Sequence, residues 1–155
     1  MLVREMGGSM KQVVAAVVER GDRRVLIGQR RRGDTSELKW EFPGGKVRDG
    51  ESLEEALARE LREELGVTLT KCREIARVQH KYAHFDEEIE IHFFAAAIAE
   101  TEIEPRTFER AEWVLPRELG RYDFLDANRE LIAHLATGKI KVAARLEGEE
   151  TANSY

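Results

Sequence analysis

A chain of 155 residues has room for one buried core, and with 42% apolar and 35% charged residues it belongs with globular rather than disordered proteins. A net charge of −5 at pH 7 argues against a protein that coats nucleic acid, and no apolar run nears the roughly 20 residues of a membrane-crossing helix. The single cysteine, Cys72, excludes an intrachain disulfide; with no signal-peptide pattern at the start, the cytoplasm is the expected compartment.

Residues 1–10 have no apolar pattern and read as a leader expected to be disordered, with Met10 as an alternative start. The domain is expected over residues 11–137. Lys11 to Glu19 is rich in β-branched residues and predicts a strand; Gly21-Asp22 is a turn signal, and Arg24 to Arg30 predicts a second strand forming a hairpin with the first. Arg31 to Lys39 is polar and predicts a loop. Trp40 to Gly45 predicts a short strand broken by Pro43 and two glycines. Ser52 to Leu65 predicts a helix. Ile75 to Gln79 and Glu88 to Ala99 predict strands around a polar turn containing Asp86, and Ala111 to Leu115 a short strand. Asp126 to Ala136 predicts a last helix ended by Gly138, after which residues 138–155 are expected to be a mobile tail. Mixed strands with two helices predict an α+β layered fold.

The first helix has clear end signals. Ser52 suits the N-cap with Glu55 as its capping-box partner, and Gly66 suits the left-handed position past the C-terminus. Leu53, Leu57, Leu61 and Leu65 form the stripe to be buried. At about 100° per residue, Glu60 and Glu64 fall on that apolar side, Glu63 on its flank, and Arg59, Arg62 and Glu55 toward solvent. Acids crowded one turn apart and turned inward repel each other and lose hydration, so a cation is expected among them. Oxygen-only ligands at this spacing suit Mg²⁺ or Mn²⁺ rather than zinc. Neutralisation by lysine or arginine from elsewhere is the structural alternative. Gly44-Gly45, ahead of the helix, allows close backbone approach to a phosphate or metal. A bound divalent cation also reconciles an acidic protein with an anionic substrate.

Together these residues resemble the Nudix box, G-x5-E-x7-R-E-U-x-E-E-x-G-U, with U a bulky apolar residue. The chain reads Gly45, Glu51, Arg59, Glu60, Leu61, Glu63, Glu64, Gly66 and Val67 at those positions. The flanking Trp40 to Lys46, WEFPGGK, is similar to the MutT-like branch. The resemblance implies an α/β/α sandwich around a mixed β-sheet. It implies divalent metals held by Glu60, Glu63 and Glu64 with the carbonyl of Gly44, and a salt bridge between Glu51 and Arg59 that orders the loop and helix. It further implies cleavage of a nucleoside triphosphate to a monophosphate and pyrophosphate, without a covalent intermediate. Glu63 or Glu64 is favoured as general base over Glu109, a loop acid ahead of Glu112-Trp113.

The resemblance places the nucleotide against residues outside the box. Asn128 is similar to the purine-reading asparagine of enzymes that clear 8-oxo-dGTP, and an amide that donates and accepts suits a guanine-type edge. Helix capping by Asn128 or Asp126 is the competing role. Arg30 and Lys46 are candidates for the phosphates or sugar, with Gly45 at close approach and Phe42 and Phe85 beside the base. Tyr82 and His84 share the region of Phe85, where Glu87 stands in place of a basic residue of MutT relatives and weakens the case for strict 8-oxo-dGTP specificity. A CTP or dCTP pyrophosphohydrolase and a non-catalytic nucleotide-binding regulator are the other readings. His80, His84 and His92 lack zinc-ligand spacing and read as strand or loop residues. No polymeric nucleic acid and no membrane partner are expected, and the assembly is expected to be a monomer or homodimer.

Overall fold

The computed structural model describes residues 10–81 and 88–148. Residues 1–9 of the expected leader and the turn with Asp86 lie outside them, whereas Met10 belongs to the first strand. In chain order come β1 (Met10–Val18), β2 (Val25–Arg30), β3 (Trp40–Glu41), β4 (Gly44–Lys46), α1 (Leu53–Leu65), β5 (Leu69–Lys81), β6 (Glu88–Ile98) and β7 (Phe108–Val114). Two 3₁₀ turns (Pro116–Arg121 and Asp126–Asn128), α2 (Arg129–Thr137) and α3 (Val142–Leu146) follow.

The strands form two sheets, ordered β4-β1-β6-β5 and β3-β2-β7. The first is mixed: β1 runs parallel to β6, whereas β4 and β5 pair antiparallel with their neighbours. Alternation along β1 sends Val14, Ala16 and Val18 to one face and Ala15 and Val17 to the other. The first face packs against Leu57, Leu61 and Leu65 of α1, all fully buried. The second packs against Leu131, Ile132 and Leu135 of α2 and Val142 of α3. Each such leucine contributes roughly 1.5–3 kcal/mol by leaving water. The result is the α/β/α sandwich around a mixed sheet that the sequence implies.

Both ends of α1 form as read. The Ser52 hydroxyl accepts from the Glu55 amide, the Glu55 carboxylate accepts from the Ser52 amide, and Gly66 closes the helix at φ 69°. Four expectations need correction. The turn after β1 exists, but Glu19 and Val25 share only an isolated bridge and β2 enters the other sheet. Both edges of β1 are already taken by β4 and β6, so no hairpin can form there. The WEFPGG stretch is two short strands in different sheets, and the Pro43 carbonyl accepts from the Ala16 amide (2.8 Å) where the chain crosses. The last helix opens as a 3₁₀ turn over Asp126–Asn128 and becomes α-helical from Arg129. The stretch after Gly138 is no mobile tail as far as Gly148: α3 packs on the sheet, with Ile140 and Val142 buried. No helix of the described residues is long and apolar enough to cross a membrane.

Candidate active site

Arg59 organises the junction of β4, the following loop and α1. Its Nε and Nη2 grip both oxygens of Glu51 at 2.6 and 2.9 Å, and Nη2 also donates to the Lys46 carbonyl at 3.0 Å. Its Nη1 reaches Glu60 at 3.0 Å and Glu63 at 3.2 Å. The two-pronged contact holds the Glu51 carboxyl down to about 2, and the acids around Arg59 raise its own pKa. The Glu51–Arg59 bridge is thus present, but the projection of Arg59 toward solvent fails: its side chain is 16% exposed. A long arginine on a helix flank folds back when a carboxylate waits just ahead of the N-cap.

The three helix acids are not equivalent. Glu64 is half-buried and accepts from the Gly44 amide at 3.0 Å. The Glu60 carboxylate lies against the α-carbon of Gly45, where any side chain would collide with it. Glu63 is exposed, shared between Arg59 and Arg48, so its inward orientation is not observed. Neutralisation by arginine therefore holds for Glu60 and Glu63. Among the described residues Glu64 has no ion pair, and burial, then Glu60, Glu41 and Glu63, push its carboxyl up to about 9. No three acids or histidines of the described residues converge tightly enough to enclose an ion. Even so, a half-buried carboxylate crowded by like charge, with only oxygen donors beside it, fits a hard divalent cation.

A cleft of about 590 Å³ opens beside these acids. Its floor crosses the first sheet: Gly44, Gly45 and Lys46 on β4, Val13 and Ala15 on β1, Ile89 and Ile91 on β6, and His80 on β5. Arg30, Lys39, Glu41 and Phe42 form one wall, and Leu125 to Asn128 another. Five expected nucleotide contacts (Arg30, Phe42, Gly45, Lys46 and Asn128) meet here with Gly44 and Glu64. Phe85, Tyr82, His84 and Glu87 lie outside the described residues. Glu109 does not join the site: it is exposed on β7 and accepts from the Arg32 amide at 3.4 Å.

Phe42 is both core and lining, buried against Phe93 and Phe124. Asn128 is buried and makes no capping bond; among the described residues its amide nitrogen has only a long contact, 3.4 Å, to the Leu125 carbonyl. Asp126 binds Arg129 at 2.9 Å instead of capping, so the capping role fails for both residues. Arg30 donates to the Thr35 carbonyl at 2.6 Å and to Glu41 at 3.3 Å. Burial, the largest influence, raises the Glu41 pKa despite Arg30. Glu41, Lys39 and His80 were not predicted as lining. Glu41 could have been flagged from its place between two apolar aromatics, whereas only topology brings His80 to the cleft.

A cleft lined by Arg30, Lys39 and Lys46 beside the crowded Glu64, with apolar side chains on its floor, suits a polyanion with a flat apolar end. Comparison with known proteins agrees: the NUDIX domain family profile matches residues 10–135. The chain belongs to the Nudix hydrolase family. It is 33% identical over 123 residues to the CTP pyrophosphohydrolase of Escherichia coli K12, covering 79% of this chain and 89% of that protein. It is 35% identical over 126 residues to the 8-oxo-dGTP diphosphatase of Haemophilus influenzae, covering 80% and 90%. The solution structure of the E. coli ORF135 protein superposes with a TM-score of 0.71 at 30% identity, covering 92% of this chain and 95% of that one. Nudix hydrolases act on nucleotide substrates and generally use divalent metal ions such as Mg²⁺.

Proposed function

We propose that this Nudix hydrolase converts a nucleoside triphosphate and water to the monophosphate and pyrophosphate, with Mg²⁺ or Mn²⁺ held by Glu60, Glu63, Glu64 and the Gly44 carbonyl. The observation that carries the reading is the half-buried Glu64, crowded by acids and, among the described residues, without a cationic partner, in a cleft also lined by Arg30, Lys39 and Lys46. A bound divalent cation would neutralise the polyphosphate and make the attacking water more acidic. Lys46 and Arg30 bind the phosphates and sugar, and Gly45 lets the chain approach them. Glu51 and Arg59 hold the loop and helix in register. Glu64, whose carboxyl is oriented by the Gly44 amide, is the favoured general base, with Glu63 the alternative.

The favoured base is an oxidised purine such as that of 8-oxo-dGTP. The support is Asn128, a buried amide at the cleft that is not used for capping. The relative named CTP pyrophosphohydrolase supports a second reading, cytidine triphosphates. A panel of triphosphates including 8-oxo-dGTP, dGTP, CTP and 5-methyl-dCTP, assayed with Mg²⁺ for pyrophosphate release, tests both. We expect Glu64→Gln to lower kcat by about 10²–10³-fold with the fold intact. Unchanged turnover in Glu64→Gln and Glu60→Gln refutes the metal assignment. Asn128→Ala should raise KM mainly for the preferred purine; an equal effect on all bases rejects its role.

A further inference from the structure

We propose that His80 is a specificity-determining residue that contacts the base end of the nucleotide; this rests on the nucleotide-hydrolase reading above and deepens it. Past the irregularity at Glu74/Ala76, alternation along β5 puts Ala76, Val78 and His80 on one face. Ala76 and Val78 pack into the cluster that contains Ile89 and Ile91, so His80 faces the same side, pairs in register with Ile89 and lines the cleft.

The strand order fixes which end of the ligand it meets. β4, with the glycines and the neighbouring carboxylates, is at one edge of the sheet, and β5 is at the other, three steps or about 14 Å away. With the phosphates held at β4, only the opposite end of a nucleotide extends toward β5. That part of the cleft is bounded by Ile89, Ile91, Leu125 and Ala127, surfaces suited to the faces of a planar ring. Its polar groups include Asn128, Asp126, His80 and Lys39. His80 is close enough to Asp126 to help hold that carboxyl below its usual range, behind the larger effects of Arg129 and Lys39. An imidazole can exchange hydrogen bonds with a base edge or lie flat on its face.

The test is steady-state kinetics of His80→Ala and His80→Gln on purine and pyrimidine triphosphates, with calorimetric binding of the matching monophosphates and melting temperatures as a fold check. We expect His80→Ala to raise KM for the preferred base by about tenfold, to weaken its monophosphate by a similar factor, and to leave kcat within about twofold. The preferred and non-preferred bases should draw closer together, and His80→Gln should recover part of the difference. An equal change for every base, or none, overturns the role of His80 while the nucleotide-hydrolase reading stands. No pyrophosphate release by the wild-type chain from any triphosphate overturns both.

Discussion

Glu64 shows how one residue's surroundings become a measurable property. Its carboxyl gives up a proton near pH 4.5 in the unfolded chain but is pushed up to about 9 in the metal-free fold. The folded state therefore holds more protons between these values. The contribution of Glu64 to stability is complete below pH 4.5 and is lost as pH rises toward 9. In metal-free protein the melting temperature should fall across that window more steeply in the wild type than in Glu64→Gln. At pH 7.5, binding of Mg²⁺ should release close to one proton, read from calorimetric heats in buffers of different ionisation enthalpy. Parallel pH profiles and no proton release would contradict the environment assigned to Glu64. The sequence showed that Glu64 belongs on the apolar side of its helix, because helical period alone decides that. It could not show that Glu63 turns outward or that Arg59 folds back, since both depend on side-chain partners.

At the scale of elements, α1 was legible end to end because its signals are local: a capping box, a leucine stripe and a left-handed glycine. Gly66→Ala should cost about 1–2 kcal/mol, as a Cβ is forced into the left-handed region and toward Arg106 and Glu104. Denaturant unfolding measures this; loss below a few tenths of a kcal/mol would show that the helix end tolerates another geometry. The glycine caps the end of α1 that carries Glu64, two residues away, so turnover under folding conditions should fall as well. The β1–β2 turn was equally legible, yet the hairpin inferred from it was not. Which sheet a strand joins depends on which edges remain free, and β1 had none. His80 was hidden for the same reason: its place at the cleft arises from the order β4-β1-β6-β5, which no short window encodes.

For the whole molecule, the layered architecture could be anticipated from mixed strands and two helices, but the role of the last described residues could not. Residues 138–148 are short and partly charged, which hides the apolar anchors Ile140 and Val142. Removing residues 138–155 should destabilise the fold by several kcal/mol, since each anchor is worth roughly 1.5–3 kcal/mol of burial. Urea unfolding of the truncated chain checks this, and an unchanged midpoint would mean that α3 rests on the sheet without supporting it. A different long-range dependence arises where the chain passes from one sheet to the other. Only Phe42 and Pro43 separate β3 from β4, and the Gly44 amide holds Glu64. A disturbance of the β3-β2-β7 sheet is therefore conducted to the chemistry with no flexible spacer to absorb it, so the second sheet acts as the rigid mount for the enzyme's reacting groups.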